Sequence, residues 1–302
     1  MLPKILTHLA RGFLMGSADV VPGVSGGTVA LVLGIYDKLI ETLRGGTRAL
    51  TLIIRGRLRQ GWAEVRNLDL PFLLALLAGI LLAVGSLAGV IERQLEQNPE
   101  EMSGLFLGLV VGSVVVSWKL VPARSGRHLG LVLVTGSILF ALLGVQSGPV
   151  TDPSIPVLIG SGALAICAMI LPGISGSFIL LMIGMYGTVI SGIHDRLIGD
   201  LIFVALGAVI GLALFSSLLG WLLDHHREAV TAVLVGLMLG SLRVLWPWPN
   251  GVGVVSDIDA ELVSGTGLDW PTATTWLGPS LLAVIGFVTV VGLARISERV
   301  GH

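Results

Sequence analysis

Residues Pro22 to Tyr36 read PGVSGGTVALVLGIY, and the pattern returns at Pro172 to Tyr186 as PGISGSFILLMIGMY. Proline beside glycine within an apolar, helix-like run breaks the helix, because proline lacks the backbone donor and glycine opens positive φ. Each copy therefore predicts helix, break, helix, with Pro22, Gly23, Pro172 and Gly173 at the breaks. The match continues through Leu31 and Leu181, Gly34 and Gly184, and Ile40 and Ile190. Further on, GLVVGSVVVSW (Gly108 to Trp118) is echoed by GLMLGSLRVLW (Gly236 to Trp246), so the chain holds two versions of one unit.

Composition says where that unit lives. The 302 residues are 54% hydrophobic and 12% charged, with a mean hydropathy of +0.93, far from the balance of a water-soluble domain. Apolar runs of about 20 residues imply membrane-spanning helices, since barrel strands would alternate over about ten. Six such runs stand out at about 70–91, 103–121, 127–145, 200–222, 229–246 and 277–297. The interrupted regions, about 3–43 and 156–191, read as hairpins. The expectation is an all-α polytopic membrane protein forming a single membrane domain, with each unit (1–150 and 151–302) a re-entrant helical hairpin plus three transmembrane helices. A hairpin returns to its own side and three spans do not, so the second unit is inserted upside down, an inverted repeat. With both termini in the cytoplasm, only Arg93, Arg196 and Arg243 of the 18 basic residues fall outside, a strong positive-inside bias.

A broken helix leaves backbone groups that hydrocarbon does not tolerate unless protein or a wet cavity covers them. Tyr36, eleven residues after Ser25, is expected at the membrane interface, which puts Ser25 about 17 Å deeper, near the midplane. A full span through 25–43 is the alternative. Glycines and a serine ahead of a helix present backbone N–H groups at the positive end of its dipole, an arrangement suited to phosphate. Here Ser25 would cap while Gly26, Gly27 and Thr28 donate, and Ser175, Gly176, Ser177 and Phe178 would do the same from the other side. The plain alternative is a tight packing turn.

Other chemistries fit less well. A nucleotide-binding P-loop needs a lysine after the second glycine and a preceding strand, and neither is present. Gly23 to Gly27 matches the G-x-S-x-G hydrolase pattern, but His8, His128, His194, His225, His226 and His302 all fall near span ends or in loops, away from Ser25. An intramembrane serine hydrolase and a small-anion channel or exchanger remain as alternatives. Cys167 sits in apolar surroundings, and His225 and His226 belong to a charged turn, so no cofactor or metal site is expected.

The segments SADVVPGVSGGTVALVLGIYDKLI (Ser17 to Ile40), LPGISGSFILLMIGMYGTVI (Leu171 to Ile190) and GLMLGSLRVLWPW (Gly236 to Trp248) closely resemble the PopT family of polyprenyl-phosphate translocases, and the resemblance covers essentially the whole chain. It implies a lipid translocase, not an enzyme. The implied task is return of undecaprenyl phosphate from the outer to the inner leaflet of a bacterial cytoplasmic membrane, recycling the carrier for cell-wall glycan synthesis.

Where the two units differ, symmetry is broken. Arg243 pairs with Val115, Asp19 with Met169 and Arg11 with Ser161. Arg243, near the outer end of its span, would draw a phosphate in or simply snorkel to water. Asp19 would hold a coupling proton or sodium ion, or cap the loop. Arg11 would meet the headgroup on the inner side or act as a positive-inside anchor. The arginine-rich stretch 44–66 fits topology determination or anionic lipid. Gly85/Gly89, Gly108/Gly112, Gly207/Gly211 and Gly236/Gly240 have small-xxx-small spacing, which serves interior packing or a homodimer seam. The segment 246–276 lacks Lys and Arg and carries Trp246, Trp248, Trp270 and Trp276, as an interfacial loop or lid would.

Overall fold

The computed structural model describes the chain apart from residues 1, 22–23, 122–124, 146–147, 149, 151, 195–197, 249–267, 269, 273–274 and 301–302. Pro22, Gly23 and most of the tryptophan-rich segment thus lie outside the described residues. The described residues form helices and no strands: α1 (Leu2–Asp19), α2 (Gly26–Val32), α3 (Tyr36–Ile54), α4 (Leu58–Asn67), α5 (Leu70–Gln97), α6 (Pro99–Trp118), α7 (Gly126–Leu142), α8 (Ile155–Ile170), α9 (Gly176–Met182), α10 (Tyr186–His194), α11 (Ile198–Ser241) and α12 (Leu277–Val300). Four stretches are long and apolar enough to cross a membrane, namely Leu70–Gln97, Pro99–Trp118, Ile198–Ser241 and Leu277–Arg295. This is a multi-pass helical membrane protein.

Both broken regions are helix, break, helix, as expected. Each short helix after a break, α2 or α9, ends in a left-handed glycine, Gly34 (φ 68°) or Gly184 (φ 71°), which lets the chain turn directly into the next helix. One boundary differs from the sequence reading. The first hairpin does not end near 43, because α3 runs on to Ile54 and α4 follows it. The expected spans 200–222 and 229–246 are the two helical limbs of the 44-residue α11, which meet at a kink where the backbone of His226 is not helical (φ −137°, ψ 37°). A straight helix of that length would run about 66 Å, twice the hydrocarbon thickness, so the kink is needed for its halves to pack separately. Two ion pairs to α3 bracket the kink: Arg44 with Asp224 at 2.6 Å, and Arg227 with Asp37. With the Lys38–Asp69 pair they line a polar cleft of about 570 Å³ at one end of the molecule.

Glycines fix how the helices pair. Any Cβ on Gly12 or Gly16 would overlap α5 at Leu76 or Ile80, and Gly79 reciprocates against Leu9 and Phe13. The second half repeats this, with Gly162 against Val204, and Gly207 and Gly211 against Ile159 and Ala163. In both pairs the two helices run parallel. The next pairs cross between the units: Gly104 and Gly108 of α6 meet Pro279 and Ala283 of α12, while Gly236 and Gly240 of α11 meet Val132 and Gly136 of α7. Gly85 and Gly89 break the pattern; nothing lies within 4 Å of a Cβ at either, so they face outward on α5.

This pairing sets how far each broken region reaches. His8 of α1 and Lys38 of α3 both meet the Phe72 ring at the start of α5, with centroid distances of 5.0 and 4.3 Å, so the first region leaves from and returns to one end of α5. α1 stops three residues past Gly16, which abuts Ala83 near the midpoint of α5. α8 stops three residues past Cys167, whose sulfur lies 3.9 Å from the Gly211 carbonyl, near the midpoint of the first limb of α11. Both breaks therefore fall about halfway along the long helices.

Candidate functional site

The two breaks meet. Ser25, 1% exposed, is in extended conformation (φ −132°, ψ 135°) and caps α2 by accepting from the Gly27 N–H at 3.1 Å. Its hydroxyl also reaches the carbonyls of Met169 and Leu171, 3.3 Å from each. Tyr36 donates to the Ile170 carbonyl at 3.1 Å, and the Gly173 N–H donates to the Thr28 hydroxyl at 2.8 Å. The last carbonyls of a helix and the amides of a break have no helical partner, and inside a membrane protein they must find one. The first motif supplies these partners to the second. Gly27 has no Cβ because one would sit 2.9 Å from the Ile170 carbonyl.

Tyr36 is 1% exposed, and its hydroxyl ties the first broken region to the end of α8, because the seven-residue α2 and the Gly34 turn fold the chain back beside the junction. Sequence reasoning missed this bridge, although a signal was present: a tyrosine in an apolar run needs a partner for its hydroxyl, and a helix ending at Pro172 must orphan carbonyls just upstream.

Despite their similar sequences the two motifs are in different states. In the first, every early amide is engaged by the chain itself: Gly26 N–H donates to the Asp19 carboxylate at 2.6 Å, Gly27 to Ser25 Oγ, and Thr28 to the Ser25 carbonyl at 2.9 Å. Asp19 thus acts as the loop cap. In the second motif its counterpart is Met169, which has no carboxylate to offer. There the amides of Gly176, Ser177 and Phe178 meet no acceptor among the described residues. The Ser175 and Ser177 hydroxyls bond only each other, at 2.8 Å, and Ser177 is exposed. Gly173 is buried with φ 85° and packs on the α11 backbone at Met238.

The two arginines singled out from the sequence stand apart from this junction. Arg243 donates to the Phe140 carbonyl at 3.1 Å, lies over the Phe140 ring at 4.9 Å and packs against Gly144, so it closes the C-terminal end of α7. Its neighbour Val244 shares a buried cluster with Ile174 and Phe178, which flank Ser175 to Ser177. Arg11 is half-buried on α1, eight residues before Asp19, about 12 Å along the helix from the break. In the tryptophan-rich segment Trp246 packs edge-to-face with Trp248 and Trp270, at centroid distances of 5.3 and 6.3 Å. Among the described residues no three His, Cys, Asp or Glu side chains gather as a metal site would require.

Comparison with known proteins gives the chain's family. Residues 15–262 match the family model described as undecaprenyl phosphate translocase-like. A protein of Vibrio cholerae serotype O1 named polyprenyl-phosphate transporter is 36% identical over 99% of this chain and 100% of its own length. A Staphylococcus aureus protein of the same name is 29% identical over 97% of each chain. No solved structure matches the chain. With most of its length matched by the family model, including both breaks, the chain belongs to the undecaprenyl phosphate translocase-like family.

Proposed function

We propose that this protein transports polyprenyl phosphate across the membrane, carrying undecaprenyl phosphate from the outer to the inner leaflet of a bacterial cytoplasmic membrane so that the carrier re-enters cell-wall glycan synthesis. The observation that carries the reading is the junction of two broken helices midway along the spans, with one set of amides and hydroxyls left unengaged at Ser175, Gly176, Ser177 and Phe178. The relatives' names support the substrate. The parallel pairings of α1 with α5 and α8 with α11, and the crossed pairings of α6 with α12 and α7 with α11, support an inverted repeat with two re-entrant hairpins. The basic residues around the polar cleft, Lys38, Arg44, Arg48 and Arg227, support a cytoplasmic placement of that end.

The energetics are compatible. A charge at the bilayer centre costs from about 2.5 to over 10 kcal/mol. Hydrogen bonds to a charged group return about 1.5–3 kcal/mol each, so three amides and two hydroxyls supply about 7–15 kcal/mol. The headgroup would bind Ser175, Gly176 and Ser177 first. Ser25, Gly26, Gly27 and Thr28 would join when Asp19 releases the Gly26 amide, and loss or gain of a proton or sodium ion at Asp19 would couple that step to a gradient. Arg243 would hold α7 and the second motif in register, and Arg11 would meet the headgroup on its way to the inner leaflet.

The test is headgroup access of undecaprenyl phosphate in liposomes, comparing wild type with Ser175→Ala/Ser177→Ala, Arg243→Ala and Asp19→Asn. The reading expects wild type to move the lipid and the double serine variant to lose most of that activity while remaining folded. If wild type passes phosphate or chloride but leaves the lipid in place under proton and sodium gradients of either sign, the protein is a small-anion carrier and the proposal fails.

A further inference from the structure

The first half of the molecule contains a cavity at positions whose described counterparts in the second half pack against one another. A crevice of about 320 Å³ runs from the first break between α1, α2, α6 and α12, and its walls are almost wholly apolar. It begins at Val24 and Thr28 and reaches Thr289 and Leu293, both exposed on the α12 span, so its mouth faces the hydrocarbon. The equivalent positions of the second half follow from the repeat. Val24 and Thr28 match Ile174 and Phe178. Gly286 of α12 packs against Gly108 as Gly136 of α7 packs against its counterpart Gly236, so Thr289 and Leu293 match Leu139 and Leu143. Those four counterparts, Ile174, Phe178, Leu139 and Leu143, are the centre of a closed cluster, each 7% exposed or less. Thr28 in place of phenylalanine and Thr289 in place of leucine leave the first half open. Protein interiors close-pack, and open space of this size with apolar walls is characteristic of a ligand site.

We propose that this crevice holds the isoprenoid units of the lipid nearest its phosphate. The inference rests on the proposed function and specifies the lipid chain's place in it. Thr28 belongs to both sites: its side chain lines the crevice, and its hydroxyl takes the Gly173 amide at the junction of the breaks. A molecule with an anionic head at that junction and an apolar chain leaving from it would run along Val24 and Val29 toward Thr289, with the rest of the chain in the bilayer. Among the described residues the equivalent positions of the second half pack against one another, so the crevice at the first break offers one slot for one chain. That suits a single-chain lipid and excludes seating both chains of a glycerolipid.

The test is binding of farnesyl phosphate to the purified full-length protein in detergent, comparing wild type with Thr289→Phe, which plugs the mouth without touching the break. Dioleoyl phosphatidic acid serves as a two-chain competitor. We expect Thr289→Phe to weaken farnesyl phosphate binding about tenfold or more, with phosphatidic acid competing poorly against wild type. Equal affinity of the two proteins, or competition by phosphatidic acid at matched concentration, would overturn the crevice while leaving the transport reading intact. Failure of wild type to bind farnesyl phosphate at all would overturn the transport reading itself, and the crevice with it. A measurement independent of the variant's folding is photo-crosslinking of wild type with a diazirine-bearing farnesyl phosphate. The adducts are expected on α2, α6 and α12, and adducts confined to the outer faces of α5 and α11 would refute the assignment.

Discussion

Tyr36 and Tyr186 occupy matched positions in the two motifs, yet only one of them should matter for stability. The Tyr36 hydroxyl donates to the Ile170 carbonyl at 3.1 Å with the side chain 1% exposed, whereas Tyr186 is partly exposed and has no hydrogen-bond partner among the described residues. Tyr36→Phe keeps the ring and its packing but leaves a buried carbonyl at the end of α8 without a donor. An unsatisfied buried group costs about 1–3 kcal/mol, which for a chain of this size corresponds to a fall in unfolding temperature of about 2–6 °C. Tyr186→Phe removes a hydroxyl without an internal partner and should stay within about 1 °C of wild type. Thermal unfolding of the three proteins in one detergent measures both shifts. Equal losses for the two variants, or no loss for Tyr36→Phe, would refute the bridge between the breaks and the asymmetry argued from it.

Gly108→Ala should abolish folded protein or cost about 3 kcal/mol or more, because its Cβ overlaps the Ala283 backbone of α12, while Gly85→Ala on the open face of α5 should be neutral or slightly stabilising; size-exclusion profiles and unfolding temperatures separate the two. Gly220→Val should expel Arg44, whose Cδ lies 2.8 Å from the new Cβ position, and loosen α3 from the α11 kink, seen as faster protease cleavage between α3 and α4. The Asp69 carboxyl, outside the α5 span, is held below the usual carboxylate range by hydrogen bonds from Lys38 and then the Phe72 amide. Its stabilising contribution is therefore present above the unfolded carboxylate value of about 3.9 and lost as pH falls through the lower folded value. Since the pair is about half exposed, Asp69→Asn should cost no more than about 1 kcal/mol at pH 7, and its difference from wild type should vanish toward pH 2 in an acid-denaturation series. Ser175→Ala/Ser177→Ala should leave the unfolding temperature within about 1 °C while reducing lipid transport, whereas Ser25→Ala, which uncaps α2 and removes the hydroxyl beside the Met169 and Leu171 carbonyls, should lower the unfolding temperature as well.

The sequence by itself determined the class and the frame. Apolar runs and mean hydropathy place the chain in a membrane, and Pro-Gly inside such runs must break a helix, because both effects are local. The duplicated motif likewise announced two matched breaks before any contact was known. Tertiary structure decided what each break does, since near-identical motifs diverge only through distant partners: Asp19 closes on Gly26, Tyr36 and Ser25 cross to the end of α8, and the second motif is left open. It also decided how the two limbs of α11 meet at His226, because ion pairs from α3 hold both sides of the bend. Arg243 shows the same limit. Its position near a span end was legible, but its partner, the Phe140 carbonyl 103 residues earlier, depends on how α7 and α11 pack, which no local pattern encodes.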